Sequence, residues 1–228
     1  MNKEELDAFK KEYEKFYIER FIYGSAEVEA FSKEKRLNDM KRMYKAYCYL
    51  MDKNTKLNVN DVKVLGEMVN DDTVCPGFRR VDVIAGNKAT FEPAPKTQIV
   101  SRLNDLFYNY YYMWDGLDIF EKEAMFHIKY MHIHPLEDGN KRTGRLILTT
   151  NLAKHGKPPV IITNADTDFY YKLLNESNYD EFAEFLALRS RLEDNTMCGF
   201  YKARNGLDVL EELDAKQLRK TLFSKNNT

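Results

Sequence analysis

His134-Pro135-Leu136-Glu137-Asp138-Gly139-Asn140-Lys141-Arg142-Thr143-Gly144-Arg145 runs directly into the apolar triplet Leu146-Ile147-Leu148. A polar, glycine-containing stretch followed at once by apolar residues reads as a loop feeding a helix. At such a start the unpaired backbone N–H groups and the helix dipole favour bound anions. Gly139 can take positive φ and bring main chain close to a phosphate. Arg142 and Arg145 are three apart, so on a first helical turn they share a face and can grip neighbouring phosphate oxygens. Asp138 is a hard oxygen ligand of the kind Mg²⁺ takes together with substrate phosphates. His134 precedes the turn and is the one residue there able to accept a proton near neutral pH. The residues alone therefore reach a Mg-nucleotide or polyphosphate site beside a general base.

Working outward, helical periodicity dominates. Residues 1–22 place Leu6, Phe9, Tyr13, Phe16, Tyr17 and Phe21 at near-helical spacing among Lys and Glu. After Gly24, Ser25 can cap a helix that carries Val28, Phe31, Met40, Met43, Tyr47 and Leu50 and ends at Asp52-Lys53-Asn54. Asn60-Asp61 can cap the next, over Val62–Met68. Helices are also predicted over 97–112, 118–132, 143–155, 167–174, 180–191 and 206–222, with Gly156-Lys157-Pro158-Pro159 as a stop signal. The pattern changes between 73 and 95. Alternation through Arg80–Ala85, the Gly86-Asn87 pair and then Ala89-Thr90-Phe91 predict a β-hairpin closed by Pro93 and Pro95. The expected fold class is all-α (mainly α): a helical bundle with one small β-hairpin.

At 228 residues the chain is long enough for one domain with a sizeable core, and 43% hydrophobic with 31% charged residues is an ordinary globular balance. A formal charge of −1 gives no reason to expect nucleic acid. Cys48, Cys75 and Cys198 follow no zinc or disulfide spacing, no stretch approaches the ~20 apolar residues of a membrane helix, and the charged N-terminus leads into no signal-like run. The expectation is a cytoplasmic protein without a membrane span.

The 134–145 segment resembles the signature of the Fic family, His-Pro-Phe-x-(Asp/Glu)-Gly-Asn-Gly-x-Arg in outline with a second arginine three residues on. His134, Pro135, Asp138, Gly139, Asn140, Arg142 and Arg145 match; Leu136 stands for Phe and Lys141 for Gly. The resemblance, over about residues 20–190, implies a helical enzyme that moves AMP from ATP to a Ser, Thr or Tyr hydroxyl of a protein. It implies His134 as base and Asp138 as the Mg²⁺ ligand. Gly139, Asn140, Lys141, Arg142, Gly144 and Arg145 would form the phosphate-binding loop. It divides the chain into an N-terminal helix (1–20), a Fic domain (21–195) and a C-terminal helical extension and tail (196–228). The hairpin near 78–95 corresponds in order to the family's flap, where a target protein docks by main-chain pairing.

A second string, Ser25-Ala26-Glu27-Val28-Glu29-Ala30, resembles the family's inhibitory sequence near residues 25–30. That implies Glu29 competing with phosphate for Arg145, with Ser25 capping or tethering the inhibitory helix. Basal activity is then expected to be low, and Glu29 to be a candidate for assisting the reverse reaction, de-AMPylation. Two alternatives stay open. Lys141 resembles the Asn-Lys-Arg of the Doc branch, which transfers the terminal phosphate, although Doc-like motifs generally lack the second arginine. The altered motif also allows a catalytically silent nucleotide-binding module. ATP, a target protein, the chain itself as a modification target and a homo-oligomer are the partners carried forward; nucleic acid and membrane are not.

Overall fold

Two helices buried on almost every side form the centre of the computed structural model, which describes Ala8 and residues 12–22, 33–71, 73–86 and 88–205. They are α5 (Ile119–Ile133) and α6 (Asn140–Lys154), joined by the motif loop. A helix covered all round belongs in the middle of a bundle. The others wrap this pair: α1 (12–22), α2 (Lys33–Asp52), α3 (Val59–Val69), α4 (Ile99–Tyr108), α7 (Thr167–Glu176) and α8 (Tyr179–Asn205). α5 packs on α4, α6 and α8, while α2 and α3 close over α6. Leu65, Leu103, Ile128, Leu146, Leu173 and Phe182 are wholly buried in one continuous core. Burying each such side chain stabilises by roughly 1.5–3 kcal/mol.

Local chemistry explains the boundaries. α3 begins earlier than the Asn60-Asp61 signal suggests. Asn58 accepts from the Asn60 N–H while Asp61 reaches back to the Asn58 N–H, a reciprocal box that fixes the start at Val59. α5 starts with the same device, built from Asp118 and Glu121. α4 continues through a π-helical turn, Asn109–Met113, that carries the buried Tyr110. α6 starts at Asn140 rather than Thr143, because Gly139 at φ 86° already delivers the chain into helix. α8 runs well past the predicted 191, to Asn205.

The all-α class holds, with no strand among the described residues. The hairpin expected over 78–95 is not formed. The described part of that segment is irregular, and its backbone groups are satisfied by side chains and by the end of α5 instead of by a second strand. The Arg79 guanidinium binds the carbonyls of Val81 and Ala94, the Ala94 N–H donates to His132 O (2.9 Å), and Asn175 serves both Thr90 N–H and Lys88 O. The predicted helix over 206–222 and the inhibitory residues Ser25 and Glu29 lie outside the described residues. None of the described helices is long and apolar enough to cross a membrane.

Candidate active site

His134 closes α5. Its N–H completes the helix by donating to Tyr130 O (3.0 Å), and its backbone then turns left-handed (φ 49°, ψ 58°). That conformation is uncommon for a side chain other than glycine and costs roughly 1–2 kcal/mol. It reverses the chain in a single step, so the loop folds back over the end of the central helices. The ring is only 9% exposed. Burial pushes its pKa down to about 4; the Met131 carbonyl works against this, Arg79 and Lys141 add to it, and Asp138 opposes them. Nδ1 lies 3.3 Å from Met131 O. A carbonyl can only accept, so Nδ1 carries the proton and the Nε2 lone pair is left to act as a base.

The loop is shaped by its own side chains. Leu136 is 1% exposed and packs on Gly66 of α3, where an added Cβ would stand 2.6 Å from Leu136 Cδ2. That packing anchors the loop on α3. The Asn140 amide accepts from Leu136 N–H (2.9 Å) and donates to Leu136 O (2.8 Å). These two bonds close the loop and give the side chain a part in shaping the site. Gly139, in the left-handed region, packs so closely on α3 that a Cβ would meet Val69 Cγ2 at 2.8 Å and Asn70 Oδ1 at 3.1 Å. As the residue that precedes α6, Gly139 has no side chain with which to cap it.

Asp138 sits at the rim with its side chain 56% exposed, Oδ1 accepting from Gly139 N–H (2.6 Å) and Oδ2 3.0 Å from Arg142 Nη2. Arg142 does not share one open face with Arg145. It turns toward α2 and α3, donating to Val69 O and Asn70 Oδ1 (2.8 Å), with Asp39 3.7 Å away. Arg145 is buried on the side of His127, whose pKa it helps to depress. Lys141 is half-buried on the first turn of α6 and Gly144 is buried beneath it, too close to His127 and Tyr130 for a larger residue to enter without a shift.

Several contributors carried no signal in the sequence. Asn70, after α3, donates to Asp138 O (2.8 Å) while accepting from Arg142. Tyr130 bonds Thr143 Oγ1 (2.7 Å), which in turn donates to Gly139 O. Each is a long-range contact between elements, and only the fold brings the partners together. His127 is packed behind the loop on Tyr170 (Nε2 to hydroxyl 2.7 Å), and burial pushes its pKa down to about 3. Tyr170 and Tyr171 are core side chains. His132 is half-buried: it binds Leu174 O and stacks on Phe91.

The family model described as Fic/DOC family matches residues 56–152, the stretch from α3 to the end of α6. Over that stretch the chain is similar to the Fic/DOC family. Among curated proteins, it resembles the protein adenylyltransferase Fic of Drosophila willistoni, 36% identical over 113 residues covering 48% of this chain and 22% of that protein. Nematostella vectensis has one 39% identical over 77 residues, 34% of this chain and 18% of that protein. The chain thus spans about a fifth of the length of these relatives. A Fic domain-containing signaling protein from Bacteroides thetaiotaomicron shares the fold at TM-score 0.74 and 19% identity, over 90% of this chain and 93% of that one. Fic-1 from C. elegans does so at TM-score 0.67 and 18% identity, over 89% and 72%.

Proposed function

We propose that this chain is a protein adenylyltransferase, transferring AMP from ATP to a Ser, Thr or Tyr hydroxyl of a protein. The observation that carries the reading is His134, neutral at physiological pH and presenting Nε2, beside a helix start that Gly139 leaves without a cap of its own. Its curated relatives are named for this activity. In the reaction, the target hydroxyl proton passes to His134 Nε2 as its oxygen forms a bond to the α-phosphorus. The bridge between the α- and β-phosphates breaks, and pyrophosphate leaves. Backbone N–H groups at Asn140–Arg142, on the first turn of α6, face the phosphate charge, with Lys141 and Arg145 as the cations behind them. Positioning and electrostatics supply most of the rate in such a transfer.

The residues fit Mg²⁺ as a companion of the nucleotide. Asp138 is half-exposed, and the described residues offer no cage of three or more acidic, His or Cys side chains. Mg²⁺ commonly binds through one carboxylate with phosphates and water. When bound, it would neutralise phosphate charge on Asp138. Arg142, tied to Asp138, holds that carboxylate in place. Self-inhibition by Glu29 acting on Arg145, with Ser25 as its tether, belongs to the same reading, as do target docking along 78–95 and a cytoplasmic setting. Lys141, whose charge bears on His134, supports one rival: transfer of the terminal phosphate.

ATP labelled at the α- or γ-phosphate, supplied with Mg²⁺ to wild type, Glu29→Gly and His134→Ala, separates these readings. Protein-bound α-label, raised in Glu29→Gly and absent in His134→Ala, is the expected result. Protein-bound γ-label alone would move the chain to phosphate transfer. ATP binding without transfer in any variant, with an external acceptor protein present, would leave only a nucleotide-binding module.

A further inference from the structure

The Arg79 side chain is fully enclosed, and each of its five N–H groups faces an oxygen. Nε donates to His134 O (2.8 Å); Nη1 to Val81 O (2.8 Å) and Asp82 Oδ1 (3.2 Å); Nη2 to Ala94 O and Ile133 O (3.5 Å). The Arg79 N–H adds Pro135 O (3.0 Å). Three of these oxygens, on residues 133, 134 and 135, surround the left-handed turn that aims His134. They also include the last carbonyls of α5, where a cation is favoured by the helix dipole. The other three lie at the two ends of the 80–94 segment. Asp82 extends the grip by accepting from the Lys96 N–H (2.8 Å). The far part of that segment is held separately, by the Asn175 amide on Lys88 O (3.0 Å) and Thr90 N–H (2.9 Å).

We propose that Arg79 is a positioning residue that couples the aim of His134 to the seating of the 80–94 segment, through one guanidinium shared by both. The proposal rests on the AMP-transfer reading for its kinetic consequence, since this segment would receive the target. Lysine cannot substitute. It keeps the charge but offers three donors from a single point, whereas the five oxygens around the Arg79 guanidinium are spread across a planar fork. Asn175 is the natural control, because it holds the segment without touching the His134 turn.

The test compares wild type, Arg79→Lys and Asn175→Ala by two readouts. The first is amide hydrogen exchange at Arg79, Ala94 and His134, whose N–H groups bond to Pro135 O, His132 O and Tyr130 O. In Arg79→Lys all three should exchange faster together; in Asn175→Ala only Thr90 and its neighbours should. The second is AMP transfer from α-labelled ATP to the His134→Ala protein supplied in trans as acceptor. Arg79→Lys should lower kcat by about 10²-fold, the order expected for a reacting group misplaced by about 1 Å. Asn175→Ala should raise the acceptor KM and leave kcat within about twofold, well below that misplacement effect.

Wild-type kcat and exchange in Arg79→Lys would overturn the coupling. So would a raised KM with unchanged kcat, which would make Arg79 an anchor of the segment alone. If Arg79→Lys loses its cooperative melt, Arg79→Gly with added ethylguanidinium takes its place, because that ion refills the cavity with the same five donors. Recovery of kcat with the fold supports the coupling, and recovery of the fold without kcat overturns it. If neither wild type nor Glu29→Gly transfers AMP to this or to an external acceptor protein, the proposed function falls, while the exchange pattern still decides for or against the coupling.

Discussion

The starts of α5 and α6 are built in opposite ways. At α5, Asp118 accepts from Phe120 N–H (2.8 Å) and Glu121 from Asp118 N–H (3.2 Å), so the exposed donors are consumed within the helix end itself. At α6 the preceding residue is Gly139, with φ 86° and no side-chain cap. Its neighbours spend their polar groups elsewhere: Asn140 on Leu136, Arg142 on α3, and Asp138 Oδ1 on the Gly139 N–H. A helix end closed by its own side chains stabilises the bundle and can bind nothing. One closed only by a glycine leaves its dipole and donors for a ligand.

The largest expected break of this contrast is Gly139→Ala. The new Cβ would meet Val69 Cγ2 at 2.8 Å and Asn70 Oδ1 at 3.1 Å, in a backbone conformation that already disfavours it. We expect a stability loss of about 1–2 kcal/mol from the backbone alone, and AMP transfer down by about 10²-fold as the loop shifts. Calorimetric titration with MgATP on the folded variant is the direct check. Affinity equal to wild type would show that the phosphates lie somewhere other than the start of α6.

The end of α5 differs from the start of α6 in charge as well. A helix C-terminus favours a cation, yet burial holds His134 neutral with its pKa near 4 and His127 near 3, against an ordinary 6.5. Arg79 supplies the missing charge instead. The folded state therefore binds fewer protons than the unfolded chain below pH 6.5. Stability from these two groups is fully present above that value and is lost as pH falls toward their folded pKa values, by up to roughly 1.4 kcal/mol per pH unit for each. Buried Glu123 works in reverse. Burial raises its pKa from 4.5 to about 8, against the hydrogen bonds from Tyr110 and Asn151. Its contribution is fully present below pH 4.5 and is lost as pH rises toward 8. Two half-protonated unfolded histidines balance one glutamate at pH 6.5, so the melting temperature should peak near there. His132, also held low by burial, moves the peak slightly upward. A peak near pH 8 would mean that Glu123 is ionised in the fold. Independently, kcat/KM should stay flat from about pH 8 to 5 and fall with a midpoint near 4; a midpoint near 6.5 would mean that the His134 ring is solvated.

What could be read in advance follows from whether the information is local. Apolar spacing locates most helices, because burial in a bundle repeats every 3.6 residues. The turn of the motif loop is legible because a glycine signals positive φ at its own position, as Gly139 does at 86°. The 78–95 segment was misjudged for the same reason: its alternation is local, but its partners are Arg79, Asn175 and the end of α5, none of them a second strand. Arg79 and Asn70 left no trace in the pattern, since each owes its part to oxygens that are distant in sequence. Arg142 was placed on the right helical turn and given the wrong neighbours, because α2 and α3 reach it only after the chain has folded.

Removing a cap from α5 should have the smallest effect and sharpens the contrast most cleanly. Asp118→Ala frees the Phe120 N–H and removes the anchor for Glu121, at a cost of about 1 kcal/mol. For a domain of this size that lowers the melting temperature by roughly 2–4 °C. Asp118 begins α5 and His134 ends it, so the loss falls at the opposite end from the motif loop. MgATP affinity and AMP transfer below the melt should stay at wild-type values. If Asp118→Ala instead weakened nucleotide binding, the two ends of α5 would be coupled through the helix. The division of labour between a closed helix start and an open one would then be a property of the whole central pair rather than of its separate ends.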